Sequence, residues 1–430
     1  MADHDDDDDG GRRLPVHRLP RGVAVYPPET DPDHERGAFL LRTDRLAIAT
    51  EHLDRARRLL ARIGVDLDVT RVRCADDRDA EEVRGASELG VSIVDVPEQQ
   101  TVPDVVTFLV RRGVRSSPIH VHTLSWHILL SPATFPVPAA PPPWAESLPR
   151  ETAENAVIVG VADSGAGPHP ALDGILDRRS DADPTDVAPA DGRLDLDAGH
   201  GTFVAGLIAA RAYAGGAPQR AVRVLARRVL NSMGVVDDVG LANVIVSLAP
   251  LVDVLCLPLG GYAMQDQSSL HLDAALAQAY ESNPDLVVVA AAGNQASDRV
   301  FWPATFKRVV AVATFVGGAR ACFSNYGQWV DCCAPGVDVV STFPAWNGPL
   351  DTRWADVPNP GGCQFPPFDP GASGAFTGWA RWSGTSFSAP VVAGAIAAQI
   401  ADGTPAIAAA AMITHDPAAP TIPGIGRAVR

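Results

Sequence analysis

The chain has 430 residues, 46% hydrophobic and 20% charged, a globular balance with length for one large domain and a smaller one. Its net charge of −16 argues against nucleic acid or an anionic membrane surface as a partner. No apolar run approaches the roughly 18–20 residues that a membrane helix requires, and the 37 prolines and 38 glycines imply many turns and a stiff linker.

Residues 1–36 read as a disordered acidic tail. Met1-Ala2-Asp3-His4 and the run Asp5 to Asp9 have no apolar core, the reverse of a secretory signal, so a cytoplasmic protein is expected. Residues 37–130 change character. Leu40–Ala49, Val65–Val72, Val91–Val96 and Ile119–Ile128 read as strands, with helices at Glu51–Ile63 and Pro103–Arg112. The order β-α-β-β-α-β is that of a small ferredoxin-like α+β domain. His120 and His122 share one face of its last strand, a pattern read as a half-exposed strand rather than a metal site. Residues 131–152, with Pro141-Pro142-Pro143, read as an extended linker.

Beyond it, Ala156–Val161, Val252–Leu257, Leu286–Ala291, Val309–Val312 and Val337–Val340 are apolar with little alternation, and Val222–Val229 is a weaker strand candidate. Such strands are buried on both faces. Helices expected at Thr202–Ala212, Val239–Leu248, Leu270–Glu281 and Phe387–Ile400 alternate with them, the pattern of a parallel α/β sheet. Residues 344–382, rich in Pro, Gly and Trp, read as an insertion that forms a substrate-facing lid. The Asp-rich loop from Asp181 to Asp197 has no calcium-loop spacing and reads as solvated. The six cysteines show no metal spacing; reduced thiols are expected, with a Cys322–Cys332 or Cys322–Cys333 bridge as the alternative.

Three motifs carry chemistry. Val161-Ala162-Asp163-Ser164-Gly165 ends a strand with a carboxylate, and His200-Gly201-Thr202 opens a helix with an imidazole. Ser383-Gly384-Thr385-Ser386-Phe387 places a serine where a glycine turn meets an apolar helix, beside backbone N–H groups that stabilise negative charge. Singly, each is an ordinary turn or cap. Together, from about residue 155 to about 414, they resemble the catalytic blocks of the subtilisin-like serine peptidases (subtilases), in which the catalytic residues follow the order Asp, His, Ser.

The resemblance implies a parallel-sheet subtilisin-like domain at 153–430 and peptide-bond hydrolysis through Asp163, His200 and Ser386, with peptide or protein substrates and neither cofactor nor metal. A fourth block, Ala290-Ala291-Ala292-Gly293-Asn294, implies Asn294 as an oxyanion donor, assisted by the Thr385 hydroxyl. Leu257-Pro258-Leu259-Gly260 and Ala291-Ala292-Gly293 resemble the walls of the first specificity pocket; their small size implies a modest preference for large or apolar P1 side chains. Pro258 departs from the family, which has a small polar residue there. The N-terminal domain has the topology of subtilase propeptides, which implies an intramolecular inhibitor or folding assistant with residues 130–150 running to the cleft.

Overall fold

The computed structural model describes residues 19–28, 37–65, 88–124, 135–151, 153–182, 192, 194, 197–231, 234–349, 363 and 375–429. Strand β1 (Val23–Tyr26) pairs antiparallel with the first half of β2 (Phe39–Ala49), Tyr26 opposite Phe39. The reading of residues 1–36 as one disordered tail is thereby corrected. Val23-Ala24-Val25-Tyr26 is a short β-prone run whose flanking prolines, Pro20 and Pro27, masked it in the sequence.

The rest of this domain comprises α1 (Leu53–Ala61), β3 (Val91–Asp95), α2 (Val102–Val110) and β4 (Ser116–Thr123). The centre is β2, antiparallel to β3 on one side and to β4 on the other. That is the arrangement the β-α-β-β-α-β reading requires of these three strands; the expected strand at 65–72 lies outside the described residues, Val65 excepted. Helix α1 contributes Ala56 and Leu60 to the core, and α2 contributes Val105, Val106 and Leu109, over Leu46, Ile48 and Val94. Thr101 caps α2 by accepting from Asp104 N–H at 3.3 Å. The last strand ends at Thr123, earlier than the expected Ile128, and residues 125–134 lie outside the described residues.

The proline-rich segment is not a free spacer. Its β5 (Val137–Pro138) pairs with a strand of the larger domain, Ala145 and Leu148 are buried in that domain's core, and the Trp144 ring stands edge-on to Trp379 at 5.5 Å. Prolines flank the contact residues without displacing them, so composition alone read as linker.

The larger domain runs β6 (Ala156–Asp163), α3 (His200–Ala212), β7 (Ala221–Arg228), β8 (Val235–Asp237), α4 (Asp238–Leu248), β9 (Val254–Leu257), α5 (Leu270–Ser282), β10 (Val287–Ala291), β11 (Val309–Val316), β12 (Ala319–Arg320), β13 (Cys332–Pro335), β14 (Val339–Trp346), β15 (Phe376–Trp382), α6 (Thr385–Ala401), α7 (Ala406–Thr414), β16 (Thr421–Ile422) and β17 (Gly426–Ala428). Six strands form a parallel core in the order β7-β6-β9-β10-β11-β13. Val157, Val159 and Val161 turn to one face, against α3 and α6; Ala162, Leu255 and Leu257 turn to the other, against α4 and α5. Burial on both faces explains the near-continuous apolar strands. The strand order reverses between β6 and β9, and such a reversal opens a crevice at the carboxyl ends of the strands.

Two expectations about the later strands are corrected. The run Val337–Val340 does not join the parallel sheet; as β14 it pairs antiparallel with β15, in a separate three-stranded sheet with β5. The C-terminal end of the 344–382 insertion is core rather than lid, because Phe376, Trp379 and Trp382 are buried beside Phe343, while Ala345 and residues 347–349 at its other end are exposed. Residues 350–362 and 364–374 lie outside the described residues. Cysteine pairing also differs from expectation: Cys322 is bonded to Cys363, while Cys256, Cys332 and Cys333 are buried free thiols. Cys332 and Cys333 sit on β13, paired with β11 opposite Val312 and Ala313.

The two domains are joined along β4. It continues antiparallel onto β8, His122 opposite Val236, and Asp238 at the start of α4 receives three groups from it. His120 N–H reaches Asp238 Oδ2 at 2.6 Å, the His120 Nδ1 lies 3.1 Å from the same oxygen, and His122 Nε2 lies 2.7 Å from Oδ1. Met264 N–H donates to His120 Nε2 at 3.1 Å, so Nδ1 carries that ring's proton and donates it to Asp238. Burial pushes the Asp238 carboxyl up, but the two imidazoles outweigh it and hold the group well below the usual carboxylate range. The two histidines are therefore buried carboxylate partners, not a half-exposed face. Among the described residues no cluster of three or more His, Cys, Asp or Glu is arranged to hold a metal.

Candidate active site

Asp163 is the last residue of β6 and fully buried. Its carbonyl accepts from Val229 and Leu230 N–H, and its Oδ1 accepts from Ser164 N–H at 2.6 Å, which fixes the carboxylate at the crevice. His200 opens α3. Its Nδ1 lies 2.9 Å from Asp163 Oδ2 and 3.0 Å from Oδ1, so Nδ1–H points to the carboxylate and Nε2 is the basic nitrogen. The approach is close because Gly201 follows: a Cβ there would overlap the Gly165 carbonyl and lie 3.3 Å from Asp163 Cβ.

Ser386 is the second residue of α6 and 3% exposed. The turn before it is tied down by Gly384 N–H to Gly336 O at 2.8 Å and Asp338 N–H to Ser383 Oγ at 2.9 Å. The helix is anchored just after it, where Ser388 Oγ lies 2.7 Å from Thr314 Oγ1 and donates to Ala334 O. Phe387, the residue after Ser386, lies 5.1 Å from the His200 ring centroid, so the serine turn and the imidazole share one end of the crevice. Trp382 meets the same imidazole edge-on at 5.4 Å. Neither ring was singled out in the sequence as a contact of His200; the aromatic richness around Ser386 was the available signal.

Asn294 follows β10 by three residues. Its Oδ1 accepts from Thr385 N–H and from Thr385 Oγ1–H, both at 2.8 Å, and Gly293 N–H in turn donates to Thr385 Oγ1 at 3.1 Å. An oxygen held this way turns the amide nitrogen toward the crevice. The single Thr385 hydroxyl proton is spent on Asn294, so Thr385 has no second proton for the oxyanion donation expected of it and instead orients the Asn294 amide. Asn325 supports the same wall: its Nδ2 donates to Ala292 O at 2.8 Å and its Oδ1 accepts from Gln295 and Ser297 N–H.

The opposite wall leaves β9 at Leu257. Leu257 and Leu259 bury their side chains in the core behind the sheet, which leaves the backbone of Pro258 and Gly260 for the cleft. That backbone is already engaged. Thr123 N–H donates to Gly260 O at 2.9 Å, Gly260 N–H donates back to Thr123 O at 3.2 Å, and Leu124 N–H reaches Gly234 O. The chain thus meets the wall at Thr123–Leu124, before the 130–150 segment expected to do so. Asp183, Asp186, Asp191 and Asp195 of the acidic loop lie outside the described residues.

This geometry agrees with the comparison to known proteins, in which the profile of the subtilase family matches residues 154–415. The chain belongs to the subtilase family. A thermophilic serine proteinase of Bacillus sp. (strain AK1) is 40% identical over 194 residues, 43% of this chain and 45% of that protein. Thermitase of Thermoactinomyces vulgaris is 35% identical over 196 residues, covering 43% of this subtilase and 65% of thermitase. Subtilisin DY of Bacillus licheniformis is 38% identical over 161 residues, 34% of this chain and 54% of its own. The chain thus spans about half the length of these curated relatives. Among solved structures, fervidolysin from Fervidobacterium pennivorans, a keratinolytic enzyme related to subtilisin, shares the fold with a TM-score of 0.54 at 17% identity, over 91% of this subtilase and 60% of that chain.

Proposed function

We propose that this subtilase is a serine endopeptidase that hydrolyses peptide bonds in extended protein segments through an acyl-enzyme. The observation that carries the reading is the Asp163–His200 pair beside the Ser386 helix start, with Asn294 clamped by Thr385. A serine hydroxyl is a weak nucleophile until a base takes its proton. His200 Nε2 receives the Ser386 Oγ proton as the oxygen bonds to the substrate carbonyl carbon, and Asp163 stabilises the imidazolium. The tetrahedral oxyanion is met by the Asn294 amide and by the Ser386 backbone N–H, one of the first-turn donors with no partner inside the helix. His200 returns the proton to the leaving amine, and water repeats the sequence to free the acid. The Gly260 edge supports pairing with an extended substrate, since Thr123 already pairs with it in that manner.

The N-terminal domain, in this reading, is an intramolecular inhibitor and folding assistant, because its strand covers an edge that substrate needs. The proposed cytoplasmic location stands against the Cys322–Cys363 bond, which speaks for an oxidising compartment. Counting free thiols on protein taken from its own cell separates the two: six are expected in the cytoplasm, four if the bond forms. The central test is a fluorophosphonate probe, which should label wild type at Ser386 and leave Ser386→Ala unlabelled and full length while wild type shortens itself. Folded wild-type protein that takes no label would replace the peptidase reading with a peptide-binding one.

A further inference from the structure

Between the two walls of the first specificity pocket stands a side chain that neither wall motif contains. Phe301 is 1% exposed, and its ring reaches both walls. A Cβ built on Gly260 would lie 2.8 Å from Phe301 Cδ1 and overlap Cε1; a Cβ on Gly293 would lie 3.1 Å from both Cδ2 and Cε2. One long edge of the ring therefore lies against the Gly260 wall and the other against the Gly293 wall. At Gly260 the ring and the Trp302 carbonyl together leave no room for a side chain, and at Gly293 the ring lies behind Asn325 Nδ2, which is 2.5 Å from an added Cβ. Gly293 also has a φ of +95°, which an L side chain rarely adopts.

The ring is held in place. Tyr262 packs edge-on against it at 5.3 Å, and the Tyr262 hydroxyl donates to Gln295 Oε1 while accepting from Asn325 Nδ2. The Phe301 backbone is fixed twice by Thr305, whose Oγ1 accepts from Phe301 N–H at 3.1 Å and donates to Phe301 O at 3.0 Å. The next residue, Trp302, exchanges two backbone hydrogen bonds with Gly261, so Phe301 is tied to the wall it fills.

We infer that Phe301 sets the substrate class of this site: it plugs the floor of the first specificity pocket, which then takes glycine, alanine or serine at P1 and rejects leucine, phenylalanine and tyrosine. The inference rests on the peptidase reading and deepens it. Small walls on their own favour a large or apolar P1 side chain, and a phenyl ring between them reverses that preference. Packed interiors do not absorb an added ring without displacing their neighbours. Even one methylene at a snug pocket changes selectivity by about 10–200-fold. The discrimination of alanine over phenylalanine should accordingly exceed about a hundredfold in kcat/KM.

The test is to let the full-length protein complete the self-cleavage proposed above, incubate it with a mixed peptide library and read the cut sites by mass spectrometry, with fluorophosphonate labelling of Ser386 in parallel. Expected are cuts after Gly, Ala and Ser by wild type, and a shift toward Leu, Phe and Tyr in Phe301→Ala. Phe301→Leu, which keeps most of the apolar volume, should give an intermediate profile and guards against a misfolded alanine variant. Labelled wild type that cuts after large residues overturns the plug while leaving the peptidase intact. Protein that neither labels nor cuts overturns the peptidase reading and this inference with it.

Discussion

Asn294 shows how a single side chain is prepared for one task. An amide can present either end, and two donors from Thr385 on Oδ1 settle which end faces the crevice. Asn294→Leu should lower kcat by about 10²–10³ with little change in KM, the pattern of a donor used only in the transition state. Thr385→Val keeps the backbone donor and removes the hydroxyl, so a smaller loss confined to kcat is expected in the same assay. His271 is a different kind of residue, buried and with neither ring nitrogen bonded among the described residues. Burial pushes its pKa down, against the pull of Asp238 and Asp237; His169 is likewise pushed down by burial, against the Gly378 carbonyl and Asp173. The unfolded chain takes up these protons near pH 6.5 and the folded one only below it. Stability is therefore complete above about pH 6.5 and declines as pH falls through it, by at most about 1.4 kcal/mol per pH unit for the His271 ring. His271→Leu should flatten the pH 5–7 slope of the urea midpoint; an unchanged slope would assign the effect elsewhere. Asp163, His200, Ser386 and Asn294 could be picked out as site candidates in the sequence because each sits in a motif with fixed neighbours. Phe301 was not, since its meaning comes from two glycines 41 and 8 residues earlier, and only packing places it between them.

Among the elements, the parallel strands and their helices were readable because burial on both faces leaves an apolar run that nothing else in the chain imitates. Strand β13 was not, being four residues long with two cysteines and a proline. The run at 337–340 was readable as a strand but not as a member of a second sheet, because pairing partners are a long-range property. The β14–β15 hairpin has energetic weight: Phe376 is 3% exposed and its ring lies 4.5 Å from Phe343. Phe376→Ala should cost about 3–5 kcal/mol of unfolding free energy by denaturant titration, the range for a buried ring truncated in a core. A deletion from residue 351 that reaches Phe376 would carry this cost, so a test of the insertion's effect on peptide choice should stop short of it.

At the scale of the whole molecule, the domain contact holds one buried carboxylate at its centre, beside the β4–β8 ladder. Replacing His120 and His122 together by alanine leaves Asp238 buried without the side chains that compensate it, a loss of about 3–5 kcal/mol when one partner of a buried pair is removed. The expected readouts are weaker docking of the N-terminal domain, seen as faster chymotrypsin cleavage of the 124–137 stretch, which carries Trp126 and Phe135 but no Lys or Arg, and a lower melting temperature. Unchanged cleavage would mean that the β4–β8 ladder alone holds the domains. None of this contact was legible from sequence, because His120 and Asp238 are 118 positions apart and neither lies in a recognisable pattern.

Under the role proposed for the N-terminal domain, the Thr123–Gly260 pairing bears on how the protein would be switched on. While the chain is continuous, the covering strand competes with outside peptides at an effective concentration set by its tether, in the millimolar range for short connections. Micromolar substrate cannot outcompete it. Once the backbone is severed between the domains, the same contacts become an ordinary bimolecular equilibrium, and simple dilution favours the open cleft. A single cut thus converts a constant restraint into one that fades as the protein spreads through a larger volume.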